Sequence, residues 1–462
     1  MKGQLLPGAR KSMEPMAGRV DDADYQAMQQ FITDSPWDPK EWMNKTINVM
    51  IEDVSSPHAI ISIDDTSFPK QGNQSVGVGR QYCGALGKVA NCQVATSAVY
   101  IIPSTKRNKD AITWPLGMEL YLPKTWIVDK ARRRKTGVPK ETIFKEKWVL
   151  ALELIDNARM LGVPHCAVNG DAGYGNISEF RSGLRKRCEP YVLGIGPSKI
   201  SVVPAKTRLL GPQDFPPVKR GRARTNFHLP PGVKSRNAIE IAEIIPKEEW
   251  KDIHWTEEDK SLHGIYAMRQ VRVLKNGCRC TDEICWLLLE KRDNGELRAY
   301  FCWGFEKPSL ELLVKISRNR YHIEKGYREM KDEIGLDHFE GRSWNGWHHH
   351  TVLTQMAYAY LATVRAKAEK EGNEKPLPTI PEVRREVVKE LALKIFHDIF
   401  GLFSGFGERI LYLGGFGGNI LSRIFRVANK WMHWGVNHLI CTATEGAELG
   451  QRLREPQRCI HA

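Results

Sequence analysis

Two short apolar runs in this chain end on acid, and that pairing restricts its fold more than any other feature. HAIISID (58–64), with Asp65 next, and PHCAVNG (164–170), with Asp171 next, each have the length and character of a buried strand. A carboxylate at the mouth of a buried strand is costly unless something pairs with it, and a divalent cation is the usual partner. A third acid, Glu324, lies in the polar, helix-like stretch RNRYHIEKGYREMK (318–331). At about 100° per residue, steps of four and eleven return to within about 40° and 20° of the start, so Arg320, Glu324 and Lys331 form one stripe.

Taken singly, each residue has a plainer use. Arg320 and Glu324 fit an ordinary i,i+4 surface pair. Asp65 fits a cap for the turn chemistry of DDTS, and Asp171 before AGYG fits a turn. What singles them out is the order Asp, Asp, Glu on strand, strand and helix.

The 462 residues carry 68 Lys and Arg against 54 Asp and Glu, a net charge of +14, with 42% hydrophobic residues. The acids are abundant too, so this is a globular chain with basic surfaces, and a polyanion, nucleic acid ahead of membrane, is the expected partner. No run approaches the ~18 apolar residues of a membrane span, and MKGQLLPGARKSMEP lacks the apolar core of a signal peptide. A cytoplasmic, nucleoid-associated protein is expected. Cys278, Cys280 and Cys285 cluster without a matching Cys or His pair at zinc spacing, which favours reduced structural thiols.

Residues 1–52 read as short polar helices, with Asp21 or Asp22 as a first cap, a break at Ser35-Pro36, and DNA binding as a candidate role. Residues 53–197 alternate strand and helix patterns around a Gly-rich loop, and 198–307 form a basic, strand-rich insertion. Between Ser198 and Arg236 there are nine Lys or Arg, one acid and six prolines, and within this stretch Lys219, Arg220, Arg222 and Arg224 are candidates for phosphate contact. Strands are expected over GIYAMRQVRVL, EICWLLLEKR and LRAYFCW, the last two joined by the turn DNGE. Helical patterning resumes over 308–368, and 369–462 is a C-terminal helical region. GVGRQYCGALGK lacks the spacing and the Ser or Thr of a phosphate-cradling loop, and GGFGGN lacks the dinucleotide fingerprint.

Three carboxylates from separate elements suit hydrolysis of a phosphodiester by two divalent ions about 3.5–4 Å apart. Asp65 would bridge both ions, Asp171 would hold one, and Glu324 would complete the site, with Arg320 and Lys331 on the phosphates. All-oxygen ligation fits Mg²⁺, with Mn²⁺ as the alternative.

IDDTSFPKQGNQSVGVGRQYCGALGKVANCQ, VNGDAGYG and RYHIEKGYREMKDEIGLDHFEGRSWNGWHHH, over about residues 58–365, resemble the RNase H-like DDE transposases of bacterial insertion sequences, specifically the family numbered seven hundred and one. RKSMEPMAG and MQQFITDSPWD are similar to that family's N-terminal region. The resemblance implies an α/β fold: an RNase H-like mixed-sheet catalytic core with a strand-rich insertion and flanking helical regions. It implies cleavage of double-stranded DNA at terminal inverted repeats, strand transfer into target DNA, and a homodimer in a synaptic complex. Arg320, Glu324 and Lys331 match the Arg, Glu and Lys of the Tyr–Arg–Glu–Lys signature of related enzymes, while Ser317 stands at the tyrosine position. The resemblance, with the alternation in IISIDD, favours Asp65 over its neighbour Asp64. Arg342 is a further phosphate candidate, and His348, His349 and His350 are expected to meet DNA or solvent at a helix start. The rival readings are a stand-alone DDE-type nuclease and a domesticated, non-catalytic DNA-binding protein.

Overall fold

Residues Ile60–Pro69 form β1, the strand on which the architecture turns. The computed structural model describes residues 1–20, 23–104, 110–215, 227–257, 260–275, 279–369 and 377–400. β1 continues past the apolar IISI through DDTSFP, because β3 pairs it along its whole length, while β5 pairs only Ile60–Ile63. On one side lies β3 (Lys88–Ile102), antiparallel, with Asp64 opposite Ser97 and Asp65 opposite Thr96. On the other lies β5 (Ala167–Gly170), parallel, with Ile63 beside Gly170. The far edge of β3 is shared by β2 (Gly79–Cys83) and β4 (Ile112–Leu120). Beyond β5 comes β6 (Tyr191–Ile195), again parallel. An antiparallel group joined through β1 to a parallel pair is a mixed α/β sheet of the RNase H-like kind.

The insertion extends this sheet. β11 (Leu297–Trp303) pairs antiparallel with β6, then come β10 (Arg279–Lys291) and β9 (Lys260–Lys275), with β7 (Val202–Pro204) and β8 (Lys251–Glu257) both on β9. Eleven strands among the described residues therefore make one sheet. The turn between β10 and β11 uses Gly295 at φ 82°, a left-handed position that glycine adopts without a Cβ clash. Lys219, Arg220, Arg222 and Arg224 lie outside the described residues.

Helices cover both faces. Leu310–Arg318, capped by the Ser309 hydroxyl accepting from Leu312 N, buries Leu313, Val314 and Ile316 against Ile60, Ala167, Val192 and Leu288. Each fully buried aliphatic side chain of this kind contributes about 1.5–3 kcal/mol. Lys147–Met160 packs on β3 and β4. The long helix Trp344–Glu369 packs on β4 and on the N-terminal helices Tyr25–Thr33 and Pro39–Val54. Asp24 caps the first of these and Asp38, before Pro39, the second; Asp21 and Asp22, the expected caps, lie outside the described residues.

The histidine triplet belongs to this packing. The His349 ring lies 3.9 Å from that of Trp37, with its nitrogens 2.7 Å from the Ile32 carbonyl and 3.0 Å from the Trp37 carbonyl. His350 Nε2 is 3.0 Å from the Gly335 carbonyl. Both rings are buried, so they tie the N-terminal helices and the segment after Glu324 to the long helix. For these two the expected DNA or solvent contact is corrected on that ground; His348 is half-buried, with its Nδ1 2.9 Å from the Trp344 carbonyl.

The contacts divide the chain into two units, 1–377 and 378–462. In the second, the helix Ile380–Phe400 starts at Thr379, whose N–H and hydroxyl both donate to Glu382 at 2.7 and 2.9 Å. Among the described residues no helix is long and apolar enough to cross a membrane.

Candidate active site

The parallel pairing of β1 and β5 sets the site. Because Ile63 is level with Gly170, the next residues on the two strands are Asp64 and Asp171, at the mouth of adjacent strands about 4.8 Å apart. The helix Tyr321–Glu329 crosses the same face of the sheet. Its Tyr327 hydroxyl donates to the Asp64 carbonyl at 3.1 Å and meets the Ser97 hydroxyl, and Ser97 is Asp64's partner across the ladder. Arg320, just before that helix, donates to Asp64 Oδ2 at 2.8 Å and to Glu324 Oε1 at 2.7 Å. One guanidinium thus joins the first strand to the third acid.

Electrostatics marks these groups as a set. Burial, followed by the charge of Asp171, pushes the Asp64 carboxyl up to about 7, against the opposing pull of Arg320. Burial also raises the Asp171 carboxyl, again against Arg320. For Arg320 itself burial would lower the pKa, yet Asp64, Glu324 and Asp171, in that order, hold it above its ordinary value. Asp171 also caps the turn Ala172–Gly175, accepting from Gly173 N at 2.9 Å and Tyr174 N at 3.3 Å.

Asp65 faces the other way. Successive side chains of a strand alternate, so its neighbours come from the opposite side of the sheet. Lys147 reaches its Oδ2 at 2.8 Å, while the Tyr174 hydroxyl at 2.6 Å and the Thr96 hydroxyl at 3.0 Å donate to Oδ1. The structure therefore joins Asp64 to Glu324 through Arg320, with Asp171 next to Asp64 on the adjacent strand; Asp65, expected in that role, is held by Lys147, Tyr174 and Thr96. Sequence reasoning missed these three. Lys147 opens a helix that the periodicity does show, but nothing local links it to a strand 82 residues earlier.

Lys331 follows the helix in a π-turn (Met330–Ile334). Its ammonium donates to the Ser67 carbonyl at 3.3 Å, lies 5.5 Å from the Phe68 ring, and is lowered in pKa by burial. Arg342 is exposed, and its carbonyl accepts from Val76 N at 3.0 Å, which pins the Gly-rich loop. Ser317, at the tyrosine position of the signature, is buried and donates to the Val314 carbonyl at 2.9 Å.

The donor set fits a divalent cation. Asp64, Asp171 and Glu324 offer only carboxylate oxygens; burial raises the pKa of the first two, with the charge of Asp171 adding to the shift at Asp64 and that of Asp65 to the shift at Asp171, and the Arg320 guanidinium stands between Asp64 and Glu324 as a cation. Among the described residues no three His, Cys, Asp or Glu side chains are drawn close enough to hold a metal. Arg320 bridges Asp64 and Glu324 by two ion pairs.

The mixed sheet, with Asp64 and Asp171 at the mouths of neighbouring strands, is that of an RNase H-like core. The sequence profile described as DDE superfamily endonuclease matches residues 1–261, and the chain belongs to that family. The match spans Asp64, Asp65 and Asp171 and stops before Glu324. A "Probable transposase for insertion sequence element IS701" from Microchaete diplosiphon is 28% identical over 187 residues, 40% of this chain. The chain spans 44% of that relative's length.

Proposed function

We propose that the chain is a DNA transposase that cleaves DNA at the ends of its own element and joins the freed 3′-OH to target DNA. The observation that carries this reading is the Arg320 bridge from Asp64 to Glu324 beside Asp171, in a chain of the DDE endonuclease family. The similarity to a protein named as a transposase supports the choice of substrate. We take Asp64, in place of Asp65, as the first acid, because Asp64 shares a face with Arg320 and Glu324.

In this reading Asp64, Asp171 and Glu324 would hold Mg²⁺ or Mn²⁺, two ions in all. Bound there, the ions would activate the attacking oxygen and stabilise the leaving one. The chain's own residues do the rest. Arg320 exchanges its carboxylate partners for the scissile phosphate, where a planar fork of donors binds two oxygens at once. Lys331, half-buried beside Ser67 and Phe68, adds a charge on the neighbouring phosphate. Asp65, tethered by Lys147 and Tyr174, fixes the orientation of the strand that presents Asp64. Two copies would bring the two ends together.

The test uses the full chain and a labelled duplex carrying the DNA that flanks the gene, with Mg²⁺ and then with chelator. Metal-dependent nicking at the element boundary, followed by a joined product, is expected. Nicking without joining would leave a stand-alone nuclease; binding without nicking under either metal would leave a DNA-binding protein.

A further inference from the structure

Between residues 124 and 140 the chain carries seven Lys or Arg and a single acid, Asp129. The centre of this stretch is the helix Lys130–Thr136, KARRRKT, ended by Gly137 in the left-handed conformation at φ 72°. Five cations in two turns repel one another, and like charges at i,i+4, as Lys130 and Arg134 are, destabilise a helix. Within the segment the only opposing charge is that of Asp129, which sits at the helix's first turn and caps it by accepting from Arg132 N at 2.9 Å, one acid against the five cations of the helix.

Three of the cations are used internally. Arg132 stacks 3.9 Å from the Trp126 ring and donates to the carbonyls of Asn73 and Val78. Arg133 donates to the carbonyls of Pro139 and Lys140. Lys135 reaches Gln74 Oε1 at 3.3 Å. Lys130 and Arg134 are left, exposed, on one face of the helix, about 6 Å apart along its axis. Neither makes an ion pair with a described residue.

The helix is held in a fixed relation to the candidate active site. Arg132 and Lys135 grip the Gly-rich loop that leaves β1 directly after Pro69. That loop is tied by Lys70 to the Phe339 carbonyl at 2.6 Å and by Val76 N to the Arg342 carbonyl at 3.0 Å. Trp126 Nε1 closes the link by donating to the Val78 carbonyl at 2.7 Å. The same loop therefore braces the basic helix, the end of the strand bearing Asp64, and the segment after Glu324.

We propose that the Lys130–Thr136 helix is a phosphate-binding surface for duplex DNA, with Lys130 and Arg134 as the contacting groups. An anionic backbone relieves the repulsion that Asp129 alone leaves standing, and the spacing of the two cations matches about two phosphate steps at 3.4 Å of axis per strand. The braced loop then keeps that duplex in a fixed relation to β1, on which cleavage is proposed. This inference rests on the transposase reading only for the duplex being a substrate.

The test measures binding of the full chain to a random-sequence duplex by fluorescence anisotropy between 50 and 200 mM salt. The double variant Lys130→Gln with Arg134→Gln keeps helix propensity and the Arg132 anchor. It should flatten the slope of log K against log salt by about 1.8, at roughly 0.9 per lost phosphate contact. A charge-matched control at exposed positions elsewhere, Lys186→Gln with Lys307→Gln, should leave the slope unchanged, and so should Lys130→Arg with Arg134→Lys. An unchanged slope in the first variant, with circular dichroism showing an intact fold, overturns the inference and leaves the proposed function standing. Equal flattening in the control also overturns it, since the effect would then be one of net charge. A parent chain that binds no duplex at any salt sinks both.

Discussion

Asp64 and Asp65 share a peptide bond and serve opposite faces of β1: Asp64 meets Arg320 at 2.8 Å beside the helix bearing Glu324, and Asp65 meets Lys147 at 2.8 Å beside the helix behind the sheet. Their substitutions should therefore separate. Asp64→Asn should lower the cleavage rate by about 10²-fold or more, the scale on which removal of one preorganised electrostatic group is felt, with little change in melting temperature. Asp65→Asn should leave measurable cleavage and lower the melting temperature, since Lys147 loses its partner. Cleavage abolished by Asp65→Asn alone, with Asp64→Asn active, would return the first acid to Asp65.

Asp171→Asn keeps the cap on Ala172–Gly175, because an amide oxygen accepts from Gly173 and Tyr174 nearly as well as a carboxylate does. Cleavage should collapse while a gel shift with the same duplex persists. Equal loss of both would mean that Asp171 holds up the fold and nothing more.

Glu119 in β4 gives the chain a pH-dependent weakness. Burial, then the charge of Glu153, raises its carboxyl from 4.5 to about 7. In that window the folded chain binds more protons than the unfolded one, so the stability Glu119 contributes falls as pH rises from 4.5 toward 7 and then levels off. Glu119→Gln removes the dependence. Its stability relative to the parent, and with it the melting temperature, should climb across that window, by at most about 3.4 kcal/mol at 1.36 kcal/mol per unit. A difference that is flat in pH would disprove this account.

Arg181 and Glu283 form a buried pair between the helix Ser178–Lys186 and β10, at 2.7 and 3.2 Å, with the Tyr191 hydroxyl at 2.7 Å on the same carboxylate. Removing one member of such a pair costs about 3–5 kcal/mol, because the other stays buried and charged. Arg181→Met should fall at the lower end, since Arg185 remains 3.0 Å from Glu283. Chemical denaturation would measure it, and a loss under 1 kcal/mol would show that Arg185 suffices alone.

Much of this was written locally. The apolar runs before Asp64 and Asp171 announce β1 and β5, and the 3.6-residue period places Arg320 and Glu324 together. Alternation shows that Asp64 and Asp65 oppose each other, but which one faces the helix depends on Ser97 and Tyr327, and no local pattern reports that. The histidines were misread for the same reason. His349 and His350 sit on a helix whose own pattern does not reveal that Ile32, Trp37 and Gly335 supply the carbonyls around them. In KARRRKT nothing local shows that Arg132 is anchored on Trp126 and the Gly-rich loop. Lys219 to Arg224 lie outside the described residues, so their phosphate role stands as proposed from sequence.

β6 and β11 are neighbours in the sheet, with Tyr191 opposite Trp303 and Ala299 opposite Ile195, although roughly one hundred residues separate them in the chain. An excursion that leaves and returns on adjacent strands behaves as an overgrown hairpin. Its length can change with only a slow, logarithmic cost in closure entropy. The span to the helix bearing Glu324 is set by the two strand ends, not by what lies between them. Evolution could therefore lengthen, shorten or exchange that excursion while the three acids keep their places.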